Sequence, residues 1–223
     1  MENEVIQEKN YITELFTKVF LWMFMGLFAT GIVSWFTYAF GMVETLATID
    51  GFKIIAVIEG VVVLIFSIFF RKLPPLAVSI LFFIYAVVNG VSFSVILYIF
   101  DINSIFLTFF ATAAIFGITG AIGYFTKIDL SKFMPIFLIT LTVGIIVNII
   151  NIFVGNDTID IVVTWILLLV FFGITIYDFH TIKNMAMSGY DKTDKLHVYG
   201  AMNLYLDFIN IFLRILGLFG KRK

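Results

Sequence analysis

The sequence contains no cysteine, 3 prolines, 2 histidines and only 13% charged residues in a chain of 223. Each scarcity removes a class of function. Without cysteine there is no disulfide framework, no thiolate metal site and no cysteine nucleophile. A soluble domain carries about 25% charged residues, because its surface must be wetted. About half of that cannot cover a water-soluble globule. A net charge of -1 with no basic stripe leaves nothing to hold a phosphate backbone, so nucleic acid is excluded as a partner. The two histidines are far apart in sequence and do not make a metal site.

What is abundant is apolar. Hydrophobic residues make up 61% of the chain, 28 of them Phe, and the mean hydropathy is +1.09. Apolar runs of about 20 residues recur, each long enough to cross a bilayer. Seven are read between charged or turn-forming punctuation, at roughly 19–40, 52–70, 75–100, 104–125, 133–154, 159–179 and 199–219. Within lipid only helices and closed barrels satisfy the backbone, and continuous apolar runs without alternation specify helices. The expected fold is an all-α integral membrane protein of seven transmembrane helices. Residues 1–18 form a cytoplasmic N-terminal segment, 19–219 one transmembrane domain and 220–223 a basic tail. The first run is too long for a signal peptide and follows Glu2, Glu4 and Glu8, so no cleavage is expected.

Lysine and arginine set the orientation. With the N-terminus inside, nine lie in cytoplasmic segments (Lys9, Lys18, Arg71, Lys72, Lys127, Lys132, Lys183, Lys192 and Lys195). Four lie outside if the last segment crosses fully: Lys53, Lys221, Arg222 and Lys223. A re-entrant last segment would return the tail and make the count twelve to one. A full crossing is the expectation adopted.

Ionisable groups inside the spans are costly in hydrocarbon and mark function by default. They are Glu59, Asp178, Asp207 and Arg214, with Arg71 and Lys72 at the end of the second span. The sixth span ends and the seventh begins on the cytoplasmic side, where the second also ends. Asp178, Asp207 and Arg71 therefore converge in the cytoplasmic half, with Asp207 roughly 12 Å into its helix. Asn203, Asp207, Asn210 and Arg214 are spaced 4, 3 and 4 residues apart, one polar stripe on an otherwise apolar helix. Such a stripe faces protein or a water-filled cavity; the competing arrangement is an amphipathic helix lying in the interface. Two carboxylates in a low-dielectric site cannot both ionise cheaply, so Asp178 and Asp207 are expected to share a proton. Its loss forces the pair to separate, recruit Arg71 or bind a cation. The plain alternative is a helix-to-helix hydrogen bond without switching. Glu59, roughly 18 Å from Arg71 along the same helix, is read as lining a pathway. Gly117, Gly120 and Gly123 permit close helix approach, and Asn89, Thr112, Thr119 and Asn148 are read as packing contacts. His180 and His197 are read as solvated residues in or beside a cytoplasmic loop.

The stretch Asn203–Arg214, reading Asn-Leu-Tyr-Leu-Asp-Phe-Ile-Asn-Ile-Phe-Leu-Arg, resembles the C-terminal signature of the transmembrane Bax inhibitor motif family. Ile176-Tyr177-Asp178, the loop Thr126–Ser131 and Asn89-Gly90 resemble that family too, its bacterial members in particular. The resemblance implies six helices around a central C-terminal helix and a pH-sensitive calcium leak across a bacterial cytoplasmic membrane. It implies that Asp178 and Asp207 form the pH-sensing pair, that Arg71 is their ionic partner and that Glu59 belongs to the pathway. The sequence departs from the commoner Tyr-Asp-Thr-Gln with Tyr177-Asp178-Phe179-His180, which places a titratable ring beside the pair. Calcium takes several hard oxygen ligands in flexible geometry, and carboxylates at Glu59, Asp178 and Asp207 would make a weak, transient site. No cofactor is expected beyond the transported ion.

Two rival functions are distinguishable. An intramembrane aspartyl protease also carries aspartates on helices six and seven, but its second follows Gly-x-Gly, whereas Asp207 follows Leu204-Tyr205-Leu206. A retinal protein needs a lysine within the last span, and none is there. A non-transporting regulator that binds a membrane protease or channel remains the main alternative to a leak, and an enzyme is not expected.

Overall fold

The computed structural model describes residues 2–46, 72–188 and 195–223. The segment read as the second span, with Glu59 and Arg71, lies outside them. The described elements are helical: α1 (Glu2–Ala39), the one-turn α2 (Val43–Leu46), α3 (Pro75–Ile99), α4 (Ile102–Phe125), a 3-10 turn (Ser131–Phe133), α5 (Met134–Val154), α6 (Asp157–Met187) and α7 (Lys195–Phe219). Six of these are long and apolar enough to cross a membrane. They coincide with six of the seven segments read from the sequence. The chain is a multi-pass integral membrane protein. Large apolar side chains such as Phe24, Trp35, Leu107, Phe110 and Ile139 point outward, a surface that only lipid can cover.

Local chemistry fixes the helix ends. Pro75 opens α3, where its missing N–H costs nothing and its fixed φ suits the first turn. Gly155 closes α5 in the left-handed region at φ 67°, its N–H donating to the Asn151 carbonyl at 2.7 Å. Asn156 then caps α6, its Oδ1 accepting the N–H groups of Thr158 and Ile159 at 2.9 and 3.1 Å. Two helices exceed their apolar runs. α1 already begins at Glu2, and α6 continues past Phe179 to Met187, because no proline or glycine stops either one. His180 and His197 are consequently helical rather than loop residues, and His197 is buried with its ring 5.8 Å from that of Trp22.

The chain forms two compact units. One comprises residues 1–101, 185–205 and 222–223. In it α1 lies along α3, and Gly90 lets the backbones approach. A Cβ there would sit 2.7 Å from Val33 Cβ and 2.8 Å from the Thr30 carbonyl oxygen. The first half of α7 inserts Tyr205, fully buried, with Phe82 and Tyr85 edge-on at 5.7 and 5.9 Å. Its hydroxyl lies 2.7 Å from Thr30 Oγ1, which also reaches the carbonyls of Gly26 and Ala86. Here Lys223 donates its backbone N–H to Ile99 O (2.9 Å) and its ammonium to Leu97 O (2.7 Å), serving the last carbonyls of α3.

The second unit comprises residues 102–184 and 206–221, that is α4, α5, most of α6 and the second half of α7. Its centre is aromatic. Phe208 meets Phe109 and Phe116 at 5.3 and 5.6 Å, and Phe116 meets Phe179 at 5.4 Å. Lys221 N–H donates to Ser104 Oγ at 3.1 Å, so the tail lies by the start of α4 in this unit. α7 runs unbroken from Lys195 to Phe219, long and apolar enough to cross a membrane.

Candidate functional site: a buried carboxylate pair

The last helix is apolar on most faces, so the placement of its polar stripe decides its role. Of the described spans, α7 is the most enclosed, with 56% of its apolar window buried. Asn203, Asn210 and Arg214 are half-buried and Asp207 is 3% exposed. An amphipathic helix lying in the interface would show that stripe to water, and this one does not.

Asp178 and Asp207 both lie in the second unit, close enough that their charges repel. The sequence brings Asp178 there through the packing of α6 on α4. A Cβ on Gly120 would lie 2.6 Å from the Phe179 ring, and one on Gly123 would collide with the Ile176 carbonyl oxygen. Two of the three glycines read as a close-approach seam therefore flank Asp178. Gly117 faces open space and takes no part.

Asp207 also touches a residue that the sequence reading passed over. Thr175, fully buried, stands beside the Asp207 carboxyl and donates its hydroxyl to the Phe171 carbonyl at 2.7 Å. One carboxyl oxygen of Asp207, Oδ2, is buried and has no hydrogen-bond partner among the described residues. A carboxyl so enclosed is stable only when a proton or a cation compensates its charge. Thr175 precedes Asp178 by three residues, one turn along the same face, and that spacing was the available signal.

The rest of the stripe behaves differently. Asn210 turns its amide back to donate to the Leu206 carbonyl at 2.8 Å. Arg214 interacts electrostatically with Asp160 of α6. Its Nε is buried without a partner among the described residues, as are Asn148 Oδ1 and Thr112 Oγ1. At the opposite end of the unit, Lys183 donates to the Tyr124 carbonyl at 2.8 Å and lies over its ring at 4.9 Å. His180 Nε2 pairs with the Asn184 amide at 2.8 Å, and its Nδ1 is buried and unpartnered among the described residues. In the α4–α5 loop, Ser131 donates its hydroxyl (2.6 Å) and N–H (3.0 Å) to Asp129, holding that carboxyl below the usual range. Among the described residues no three histidine or acidic side chains gather. Glu59 and Arg71, expected to complete the site, lie outside those residues.

A polytopic helical membrane protein with a buried aspartate on its last helix beside a half-buried one on the helix before it is the class that fold and site define. Residues 12–223 match the family described as "Inhibitor of apoptosis-promoting Bax1", and the chain belongs to it. It is 32% identical to inner membrane protein YbhL of Escherichia coli, over 99% of this chain and 97% of that protein. Uncharacterized proteins of Deinococcus radiodurans (30% identical) and Rickettsia prowazekii (31%) each match 92% of this chain and 89% of their own lengths.

Proposed function

We propose that this chain is a pH-sensitive calcium leak channel of a bacterial cytoplasmic membrane, with its N-terminus inside and six helices surrounding α7. Its gate is the proton shared by Asp178 and Asp207. The observation that carries the reading is the enclosure of the Asp207 carboxyl beside Asp178 in a helix pair otherwise closed by aromatic rings. With the proton in place the pair is compensated and α6 and α7 stay together. When the proton leaves, two negative charges in a low-dielectric site repel. The pair then separates or accepts the Arg71 guanidinium or a cation. A hard dication fits such oxygens, and a site of few ligands lets it leave again. Glu59 lines the route, and Asn203, Asn210 and Arg214 support it along α7. The pair is not assigned to peptide hydrolysis, because Leu204-Tyr205-Leu206 is packed helix, which gives a substrate backbone no approach.

Purified protein in liposomes loaded with a calcium indicator tests the reading. A leak that needs no other protein, and that grows as pH rises from about 5 to 8, supports it. Vesicles that stay tight at every pH would favour a regulator that acts only through a membrane-protein partner.

A further inference from the structure

We propose that Thr112, Asn148 and Arg214 hold a short file of ordered water inside the second unit, in the half where α4 and α6 begin and α7 ends. The ligand is water, and the file solvates a guanidinium that hydrocarbon alone would not tolerate. It is held whether or not the aspartate pair gates a leak.

A helical threonine can spend its hydroxyl on the carbonyl one turn back. Thr30, Thr119, Thr140, Thr142 and Thr175 do so here, at 2.7–3.0 Å. Thr112 does not. Its side chain is fully buried, and its Oγ1 has no partner among the described residues. Asn148 Oδ1 and Arg214 Nε are buried in the same condition. A buried polar atom left dry and unpaired carries its whole desolvation cost, and here three helices each present one.

Helix geometry turns the three toward one another. Thr112 stands between Phe109 and Phe116, spaced three and four residues from it. Both rings meet Phe208 of α7, at 5.3 and 5.6 Å, so Thr112 faces α7. A Cβ on Gly144 would lie 2.6 Å from Leu167, so that face of α5 lies against α6. One turn further along α5, Asn148 comes level with the buried Val163, a turn from Asp160. Asp160 draws Arg214 toward the same turns of α6. From the level of Phe208 to Arg214 is roughly 9 Å along α7, the length of about three hydrogen-bonded waters.

The donors and acceptors select the occupant. A guanidinium N–H only donates, an amide oxygen only accepts and a hydroxyl does both. Water matches that mixture, and a buried water makes about three such bonds. A metal cation would meet the charge of Arg214 and too few oxygens, and an anion would meet the acidic Asp160.

Pulsed X-ray radiolysis of the full chain in lipid vesicles tests this, because hydroxyl radicals made from a bound water oxidise the side chains beside it. Phe116, Phe208 and Phe82 are compared by mass spectrometry, since all are buried and share one intrinsic reactivity. Phe116 and Phe208 stand by Thr112, whereas Phe82 packs in the first unit on Tyr205, whose hydroxyl is bonded to Thr30. Phe116 and Phe208 should take up oxygen several-fold faster than Phe82. Their rates should fall in Thr112→Val, which keeps the branched shape without the hydroxyl, and hold in Thr112→Ser. Wild-type rates no faster than that of Phe82 overturn the proposal. So does a Thr112→Val or Asn148→Leu protein that unfolds at a higher temperature than the wild type, since removing a dry, unpaired atom stabilises and removing an anchor of bound water does not. If neither variant assembles, the wild-type comparison decides alone.

Discussion

Asp207 is an ionisable side chain held at 3% exposure on an apolar helix, with one carboxyl oxygen unpartnered among the described residues. Asparagine at this position keeps the shape and removes the charge, so Asp207→Asn should give a calcium flux that no longer changes with pH. Tyr205, two residues earlier, has a different job. Tyr205→Phe loses the hydrogen bond to Thr30 and should cost about 1 kcal/mol of stability, read as a lower midpoint of unfolding in detergent, with the pH profile of flux unchanged. Asp129 gives a pH effect of the opposite origin. Bonds from Ser131 hold its carboxyl below the ordinary range, so their contribution is present above the unfolded value and lost as pH falls through the folded one. The Ser131 amide resonance should therefore titrate below about pH 4, and not near neutrality. The nearness of Asp178 and Asp207 was legible in the sequence because helix direction alone sends the end of one span and the start of the next to one side. Thr175 was not, because a helical threonine that bonds its own preceding turn looks like any seam residue.

At the scale of the element, the glycines of α4 set how near α6 comes. Gly123→Ala places a methyl against the Ile176 carbonyl, a backbone atom that no side-chain rotation can move aside. It should destabilise the protein by about 1–3 kcal/mol. Gly117→Ala meets nothing within 4 Å and should instead stabilise by up to about 1 kcal/mol through helix propensity. Thermal unfolding of the two variants side by side checks both signs. The spacing of three announced a close-packed seam but not which glycines used it, since the rotation of α4 depends on its neighbours. The place of Asp160 beside Arg214 was not legible for a related reason: it needs the hairpin of α5 and α6 to be built first. The histidines were taken for solvated residues because the helices were expected to stop with their apolar runs. α6 instead continues beyond that run to Met187.

For the whole molecule, hydropathy located six of the seven spans read from the sequence, because lipid leaves the backbone few alternatives: the six long apolar helices fall where those runs are, and the second run lies outside the described residues. The sequence left the side of the C-terminus open, since nine cations against four competed with twelve against one. The continuous α7 and the bonds of Lys221 to Ser104 and of Lys223 to Leu97 and Ile99 place the tail at the end where α3 stops and α4 starts. Charge counting weighs numbers of cations and not what each one bonds, and here the tail lysines are held by specific acceptors. The claim on which the functional reading depends is that one titrating carboxyl pair governs ion passage. Calcium flux into proteoliposomes, scanned from about pH 5 to 8 for the wild type beside Asp178→Asn and Asp207→Asn, tests it most directly. The prediction is a flux that rises with pH in the wild type and is flat in both variants. A wild-type profile that survives both substitutions would contradict it and reduce the aspartates to a hydrogen bond between helices.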